Sequence, residues 1–588
     1  MYAADQLNPD TEEKKVVNLR TTSWTTSAKA LVLAAIAFVV VCAGPLAGKA
    51  TAQSAGKPKP MAIVTLSGYD ALMEDINFVG SLGGQEAFAQ NVEQMIMLFT
   101  QNKGLVGLEK SKPIGLVIQS DGMNISGAIC IPVTSLEELT TTLMPFGVLA
   151  KDKGDGITEI SANGQTLVAR EKNGWAFVSM MPQMLENLPD DPNQLFGTLT
   201  KDYDLGIRVN VQNIPEPFRQ MAIQQLQLGL ESGMQQLPDE SDEKFEARKE
   251  MSSAQIDQLK RAINEVNELT VGLKLDNDQQ RAYFDFVYTA IPGTQLAEQV
   301  KQNSDPKTNF AGFFQPDAAM MMSFASKVSE ADIAQMDQMF GALHKQVQSA
   351  IDEDTELPSD EARDVVKSAV DDFMDALKAT VAAGMMDGGA VLNMAPNSLT
   401  LVAGGFVGDP AKIESGLKKL AELAKEEPKF PGINWDSDSH GDINFHTLSV
   451  PIPEDKEEPR QLFGDTLEVV VGIGKKSVYF ALGRDCLEAL KGVIDASAAE
   501  PQKSVPPMEM TFALSPIMAV VSTFADGKNK ETVESIANML ANEANGRDHV
   551  KIVVQPIPHG ARTRIELEEG VLRAIGEAVM KARDHGGF

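Results

Sequence analysis

The chain has 588 residues, of which 43% are hydrophobic, and its 82 acidic residues outnumber 52 basic ones to give a formal net charge of −30. This length allows roughly two to four domains of ordinary size, and the charge argues against nucleic acids and anionic membrane surfaces as partners, since both reward clustered lysine and arginine. With 3 cysteines, the chain is too poor in cysteine for a disulfide-stabilised scaffold.

The first feature along the chain is a pattern typical of an export signal. A basic lead precedes an apolar segment over residues 30–43, and the small residues Ala50-Thr51-Ala52 then form a pattern that signal peptidases accept. We therefore predict that residues 1–52 are a signal peptide and that the mature protein is periplasmic or extracellular. The alternative is a single-pass membrane anchor formed by residues 30–47.

The predicted elements after the signal occur twice in the same order. A strand, a turn, a strand and a helix over residues 113–143 recur over residues 389–425. A block of strand, turn, strand and helix beginning Gly164-Gln165-Thr166-Leu167 is matched by one beginning Gly464-Asp465-Thr466-Leu467. The order of elements therefore indicates an internal duplication.

The two predicted units run from residue 60 to 304 and from 305 to 583. Each is expected to open on a strand, Met61 to Leu66 in the first and Phe310 to Gln315 in the second. Because hairpin turns join the predicted strands, we expect an α+β fold, with two tandem duplicated units of largely antiparallel sheet and helices packed on one face. Acidic, proline-containing stretches are predicted to be exposed loops over 237–250, 352–361, 425–432 and 453–460.

The sequence contains no complete catalytic or cofactor-binding motif. The segment from Gly472 to Ser477 is similar to a phosphate-binding loop, but it lacks the upstream glycine and lies between two predicted strands. We interpret it as a hairpin turn. The sequence therefore predicts neither catalytic residues nor a cofactor.

One cluster of possible metal ligands lies between residues 436 and 446. Its spacing is similar to the opening of a calcium loop, but Thr447 stands where the bidentate glutamate is expected. The alternative is a polar turn followed by the solvated face of a strand. The candidate ligands are Asp436, Asp438, His440, Asp442 and His446.

Methionine and cysteine leave several interpretations open. The 27 methionines include a cluster at residues 180–184 and another at 320–322, which suit a flexible core, a groove for an apolar ligand or a copper(I) site. Of the cysteines that follow the signal, Cys130 lies in an apolar strand and is expected to be a buried thiol, although a bridge with Cys486 is compatible with export.

The fragments Asn173–Ser179 and Tyr203–Ile207, together with the order of elements, resemble large exported proteins of unknown function in planctomycete-type bacteria. The resemblance implies an envelope or secreted location and supplies no catalytic residues.

Three functions remain open on the sequence alone. The leading one is a non-enzymatic exported scaffold that binds a partner protein. The second is a carrier of a lipid or another apolar small molecule, and the third is a hydrolase with a dispersed site. None of them involves nucleic acid, and membrane contact is expected only through residues 30–47 if the signal is not cleaved.

The export hypothesis predicts that the native protein begins near Gln53. N-terminal sequencing of protein from its own cells tests it directly. A retained Met1, or a segment 30–47 that stays embedded in membrane, contradicts cleavage.

Overall fold

The structure is a computed structural model that describes residues 59–584, except for 86, 121, 123, 124, 163, 187, 188, 237–241, 355, 356, 358, 426, 429, 528 and 529. The predicted signal peptide lies outside the described residues. Within the described part of the chain, no helix combines the length and hydrophobicity needed to cross a membrane.

The first half of the described chain alternates hairpins with helices. Its elements are β1 (Lys59–Leu66), α1 (Tyr69–Leu82), α2 (Phe88–Phe99), β2 (Ile114–Ser120), β3 (Ile125–Pro132), α3 (Leu136–Thr142), β4 (Leu149–Gly154), β5 (Ile157–Ala162), β6 (Gln165–Lys172), β7 (Trp175–Ser179), α4 (Asn193–Phe196), α5 (Leu199–Asp202), β8 (Leu205–Asn210), α6 (Glu216–Gly233), α7 (Asp242–Glu265), β9 (Val266–Asp276), β10 (Arg281–Ala290) and α8 (Gln295–Gln302).

The second half also alternates hairpins with helices. Its elements are β11 (Lys307–Thr308), β12 (Met320–Lys327), α9 (Glu330–Glu353), α10 (Asp360–Ala382), β13 (Met385–Ala395), β14 (Ser398–Phe406), α11 (Pro410–Ala424), β15 (Asn434–His440), β16 (Ile443–Pro451), α12 (Glu457–Phe463), β17 (Thr466–Ile473), β18 (Ser477–Gly483), α13 (Cys486–Ala499), β19 (Lys503–Ser504), β20 (Met508–Ala513), α14 (Leu514–Phe524), α15 (Lys530–Glu543), β21 (His549–Ile557), β22 (Gly560–Glu568) and α16 (Glu569–Asp584).

Local chemistry explains many of these boundaries. Asn173 and Gly174 both have positive φ, which is what the tight turn between β6 and β7 requires. Ser135, Ser329 and Ser359 cap α3, α9 and α10 by accepting a hydrogen bond from a backbone amide three residues later.

In the described residues, twenty strands form one sheet, and every pairing in it is antiparallel. The first half contributes the order β4-β5-β6-β7-β3-β2-β1-β8-β9-β10. The second half contributes β15-β16-β17-β18-β14-β13-β12-β20-β21-β22. Strands β10 and β22 pair with each other and join the halves at a seam. The α+β class with a largely antiparallel sheet is therefore confirmed.

One side of the sheet, which we call the core face, carries two of the buried apolar clusters. In the first half, Ile63, Val117 and Cys130 pack with Phe196 of α4 and Leu199 of α5. In the second half, strand residues of the same face pack with Leu490 of α13 and with Phe313 of a 3-10 turn. Burial of these two clusters contributes hydrophobic driving force to the fold.

The other side, which we call the groove face, carries the longer helices. His446 lies on this face, and its imidazole is 3.9 Å from the Glu414 carboxylate of α11. Asp372 of α10 accepts hydrogen bonds from Lys412 and Lys419 of α11, so α10 lies beside α11. Helix α14 contacts β13 and also lies on the groove face, because Phe313 occupies the opposite face at Gly389. Helices therefore lie on both faces, whereas the sequence predicted only one.

Strand direction divides the helices of the groove face into two groups. Because neighbouring strands are antiparallel, α1, α14 and α16 begin at one end of the strands, and α6, α8 and α9 begin at the other. The first group packs in the order α14-α15-α16-α1-α2, and the second in the order α6-α7-α9-α10 with α8 beside α7. Each group thus combines helices from both halves of the chain.

Two predictions about local structure are wrong. Residues Phe310 to Gln315 do not form a strand: residues 311–313 form a 3-10 turn, and the strand is β12. A Cβ on Gly312 would lie 2.1 Å from the Val493 carbonyl oxygen, so the turn is pressed against α13. In addition, α7 and α12 occupy parts of the stretches predicted to be exposed loops, because their polar residues form solvated helices.

A buried ion pair crosses the seam. Asp285 of β10 is 0% exposed and accepts two hydrogen bonds of 2.7 Å from Arg564 of β22. The hydroxyl of Tyr203 donates a further one at 3.0 Å. These three donors satisfy a carboxylate that would otherwise be costly to bury.

We expect Arg564→Met to destabilise the fold by about 3–5 kcal/mol, because it leaves the buried Asp285 charge unpaired. Arg281→Met is the matched control, since Arg281 crosses the same seam to Glu566 with both side chains partly exposed, and it should cost no more than about 1 kcal/mol. Urea denaturation followed by circular dichroism measures both. Equal effects contradict the dominance of the buried pair.

Candidate functional site

The predicted metal ligands are not brought together. Asp438 and His440 lie in β15 rather than in a loop, and they face α13, where they pair with Lys491 at 2.8 Å and Asp495 at 2.6 Å. Asp442 lies in the turn before β16 and pairs with Lys475 at 2.7 Å.

The remaining two candidates, Asp436 and His446, meet on the groove face. The backbone amide of Asp436 donates to Nδ1 of His446 at 3.0 Å, and the Asp436 carboxylate is 3.9 Å from the same nitrogen. Trp435 packs against the imidazole with ring centroids 4.9 Å apart, and burial lowers the pKa of His446. Because Asp438 and His440 lie on the opposite face of the sheet, no single ion reaches all five candidates.

Across the described residues, no group of three histidine, cysteine, aspartate or glutamate side chains is arranged to hold a metal ion. Cys130 and Cys486 are both buried free thiols. They lie in separate core clusters, and burial raises their pKa to about 12 and about 11. Neither thiolate is populated at neutral pH.

The methionine clusters divide between several environments. Met180 and Met181 are exposed, whereas Met184 is buried and its sulfur accepts a hydrogen bond from Gln119. In β12, Met321 belongs to the core cluster of the core face. Its neighbours Met320 and Met322 point to the groove face and are only partly buried.

The groove face carries a continuous row of apolar residues. Directly opposite residues of antiparallel neighbours point to the same face, so the pairing registers define the row without ambiguity. It runs through both halves and across the seam. From β2 to β18 it consists of Ile114, Leu66, Leu205, Leu273, Phe284, Ile565, Ile552, Met510, Met322, Ala390, Ala403 and Phe480.

This apolar row is reached by solvent along its whole length. None of its members is fully buried, and Leu205, Leu273 and Phe480 are 39%, 39% and 36% exposed. A second row lies on the same face and is displaced from the first by two residues along each strand. It includes Val64, Ile207, Val271, Phe286, Thr563, Val554, Met508 and Phe324. Apart from Thr563 the two rows are apolar, so together they form an apolar floor.

The core face near the seam has the opposite character. On β10 and β22, the residues between those of the apolar floor point to the core face, and they include the ion pair of Asp285 and Arg564. Glu509 and Lys551 form another ion pair on the same face, at 2.8 Å. Apolar residues are thus concentrated on the groove face even where the other face is polar. Near the seam, the apolar side of the sheet therefore stays partly accessible to solvent.

Sequence reasoning missed this floor. The alternation Met508-Glu509-Met510-Thr511-Phe512 in β20 is a visible signal that the strand has one apolar side. The signal does not reveal which other strands share that side, since the neighbours of β20 in the sheet are β12 and β21, and β12 lies far away in sequence.

One cluster of buried ionisable groups lies apart from the floor. Asp204 accepts a hydrogen bond from Lys274 at 2.5 Å and another from the Leu275 amide at 2.7 Å. Asp75 of α1 is 6% exposed, and burial, together with the nearby Asp204 charge, raises its pKa to about 6. Both oxygens of Asp204 are therefore engaged as hydrogen-bond acceptors.

Comparison of the chain with protein-family models, with curated proteins and with solved structures gave no match. The apolar floor is therefore interpreted from its own geometry.

The raised pKa of Asp75 predicts a pH-dependent stability. Its folded pKa of about 6 lies above the ordinary value, so the folded state takes up the proton first and gains stability as pH falls through this range. We expect Asp75→Asn to raise the free energy of unfolding at pH 7.5 by up to about 3 kcal/mol. The gain should vanish near pH 4.

Thermal unfolding between pH 4 and 8 measures this effect, and Asp75→Ser serves as a second variant without the carboxyl group. A gain that does not change with pH in either variant contradicts the burial of a carboxylate at this position.

Proposed function

We propose that the protein is an exported carrier that binds a lipid, or another ligand with a long apolar part, on the apolar floor of the groove face. The observation that supports this most is the unbroken, solvent-accessible apolar row that crosses both halves of the sheet. A binding site for such a ligand needs apolar area and few polar groups.

The dimensions of the floor suit an acyl chain. Neighbouring strands are about 4.8 Å apart, so the part of the row from β1 to β12 spans roughly 30 Å. That is close to the ~30 Å hydrocarbon core of a bilayer, which is two acyl chains thick. The floor therefore has room for extended chains laid across the strands.

The side chains of the floor also suit a ligand that varies in shape. Met322, Met508 and Met510 lie together where β12 and β20 pair, and methionine adapts to irregular apolar surfaces. Thr563 is the only hydrogen-bonding side chain in the two rows, so polar groups of the ligand are expected to remain outside the floor.

We further propose that the two halves, residues 60–304 and 305–583, arose by tandem duplication. Their strand orders correspond one to one, and the seam pairs β10 with its counterpart β22. Duplication then accounts for the length of the floor, since each half supplies one part of it. Export follows as a proposal from the predicted signal peptide at residues 1–52.

A scaffold that binds a partner protein remains the second proposal. It does not require a continuous apolar floor accessible to solvent, which is why the carrier now ranks first. The hydrolase ranks last, because no observation favours it as the floor favours the carrier, and three of the buried carboxylates, Asp204, Asp285 and Asp372, are each held by a lysine or arginine.

The carrier proposal predicts that the protein binds an apolar dye such as N-phenylnaphthylamine, whose fluorescence rises in an apolar site, and that long-chain fatty acids displace it. Leu273→Glu should weaken dye binding about tenfold or more, because it places a charge on the floor. Met180→Glu is the matched control, since Met180 is 69% exposed and lies outside the floor.

Fluorescence titration measures these affinities. Absence of dye binding, or equal affinity in wild type and Leu273→Glu, contradicts the proposal. Mass spectrometry of organic extracts from native protein then identifies the natural ligand.

A further inference from the structure

A second apolar surface lies outside the apolar floor. It lies in the first half of the chain, beside the edge strand β4. We call it the apolar patch, and it consists of Leu98, Phe99, Val106, Met144, Phe146 and Leu149. Their side chains are 74%, 57%, 48%, 50%, 49% and 62% exposed.

Contacts between the segments make the patch continuous. The rings of Phe99 and Phe146 lie with centroids 6.0 Å apart, and the Thr142 hydroxyl donates to the Val106 carbonyl at 3.3 Å. The end of α2, the loop after it and the 3-10 turn Met144–Phe146 therefore form one surface next to the edge strand β4.

The patch is not part of the core. Helix α2 contains no buried residue, although its sequence is rich in phenylalanine, methionine and leucine. Its counterpart in the second half is α10, which buries Ala369, Met374 and Ala376. The segment between α11 and β15, which corresponds to the loop that carries Phe146, has two lysines and two glutamates instead. The apolar patch is thus a feature of the first half alone.

The charges around the patch indicate what covers it. In a chain of net charge −30, residues 94–108 carry no charge except Lys103, and residues 139–150 carry none. Within or beside these segments lie Lys103 and Lys151, which are exposed and make no ion pair among the described residues, together with the exposed acidic residues Glu93 and Asp152. Two copies of so acidic a protein repel each other, whereas lysines at the rim of an apolar surface suit the phosphates of lipid headgroups.

We propose that the apolar patch inserts into the headgroup region of a zwitterionic lipid bilayer. This inference stands on the patch and does not require the groove to carry a ligand. It adds a membrane contact to the one expected from residues 30–47 in the case where the signal is not cleaved.

The test is hydrogen–deuterium exchange of the full chain with and without phosphatidylcholine vesicles. Amides in peptides that cover residues 95–106 and 143–150 should exchange more slowly when vesicles are present. This readout is local, so it reports on the patch even if residues 30–47 also hold the protein on the vesicle.

Substitutions sharpen the test. Leu98→Asp combined with Phe146→Asp should abolish the protection and weaken any vesicle binding about tenfold or more. Leu228→Asp, at a residue that is 60% exposed on α6, should leave both unchanged. Dye binding by the Leu98→Asp, Phe146→Asp variant distinguishes this membrane proposal from the carrier proposal, because the apolar floor is intact in that variant.

Two results overturn the proposal. One is unchanged exchange of both segments in the presence of vesicles. The other is self-association in analytical ultracentrifugation that the patch substitutions remove, since the patch would then be an interface between two copies of the chain.

Discussion

The antiparallel pairing of β10 with β22 is the constraint on which the rest of the structure depends. This one ladder joins the strands of the two halves into a single sheet and fixes which residues of the first half share a face with residues of the second. A slip of one residue would move every side chain to the opposite face. It would also separate Asp285 from Arg564, and the buried pair therefore favours the correct register.

With the register fixed, the two faces acquire different roles. The core face holds the buried clusters that pack against α4, α5 and α13, and the groove face holds the apolar floor, the longer helices and a further buried cluster against α3. Because α1, α14 and α16 begin at one end of the strands and α6, α8 and α9 at the other, the helices pack within two groups. The exposure of Leu205, Leu273 and Phe480 shows that these groups leave the floor accessible.

The sequence predicted the features of the fold that depend on local residue chemistry. Turn residues such as Asn173-Gly174 and the proline that opens α11 fixed the order of hairpins and helices, and the α+β class followed. The prediction from sequence failed where tertiary packing outweighs the local residue pattern. Residues Phe310 to Gln315 have the pattern of a strand, yet Phe313 fills the core beside Gly389. The apolar floor could not be predicted from the sequence for a similar reason. Met510 lies opposite Met322 only because β20 pairs with β12, which is distant in sequence.

The most direct test of the account is photocrosslinking with a fatty acid that carries a diazirine on its acyl chain, followed by peptide mass spectrometry. The account predicts adducts on β10, β12 and β20 at residues of the groove face, such as Phe284, Met322 and Met510. Adducts confined to the apolar patch, or spread over the surface without preference for these strands, would contradict a ligand-binding floor.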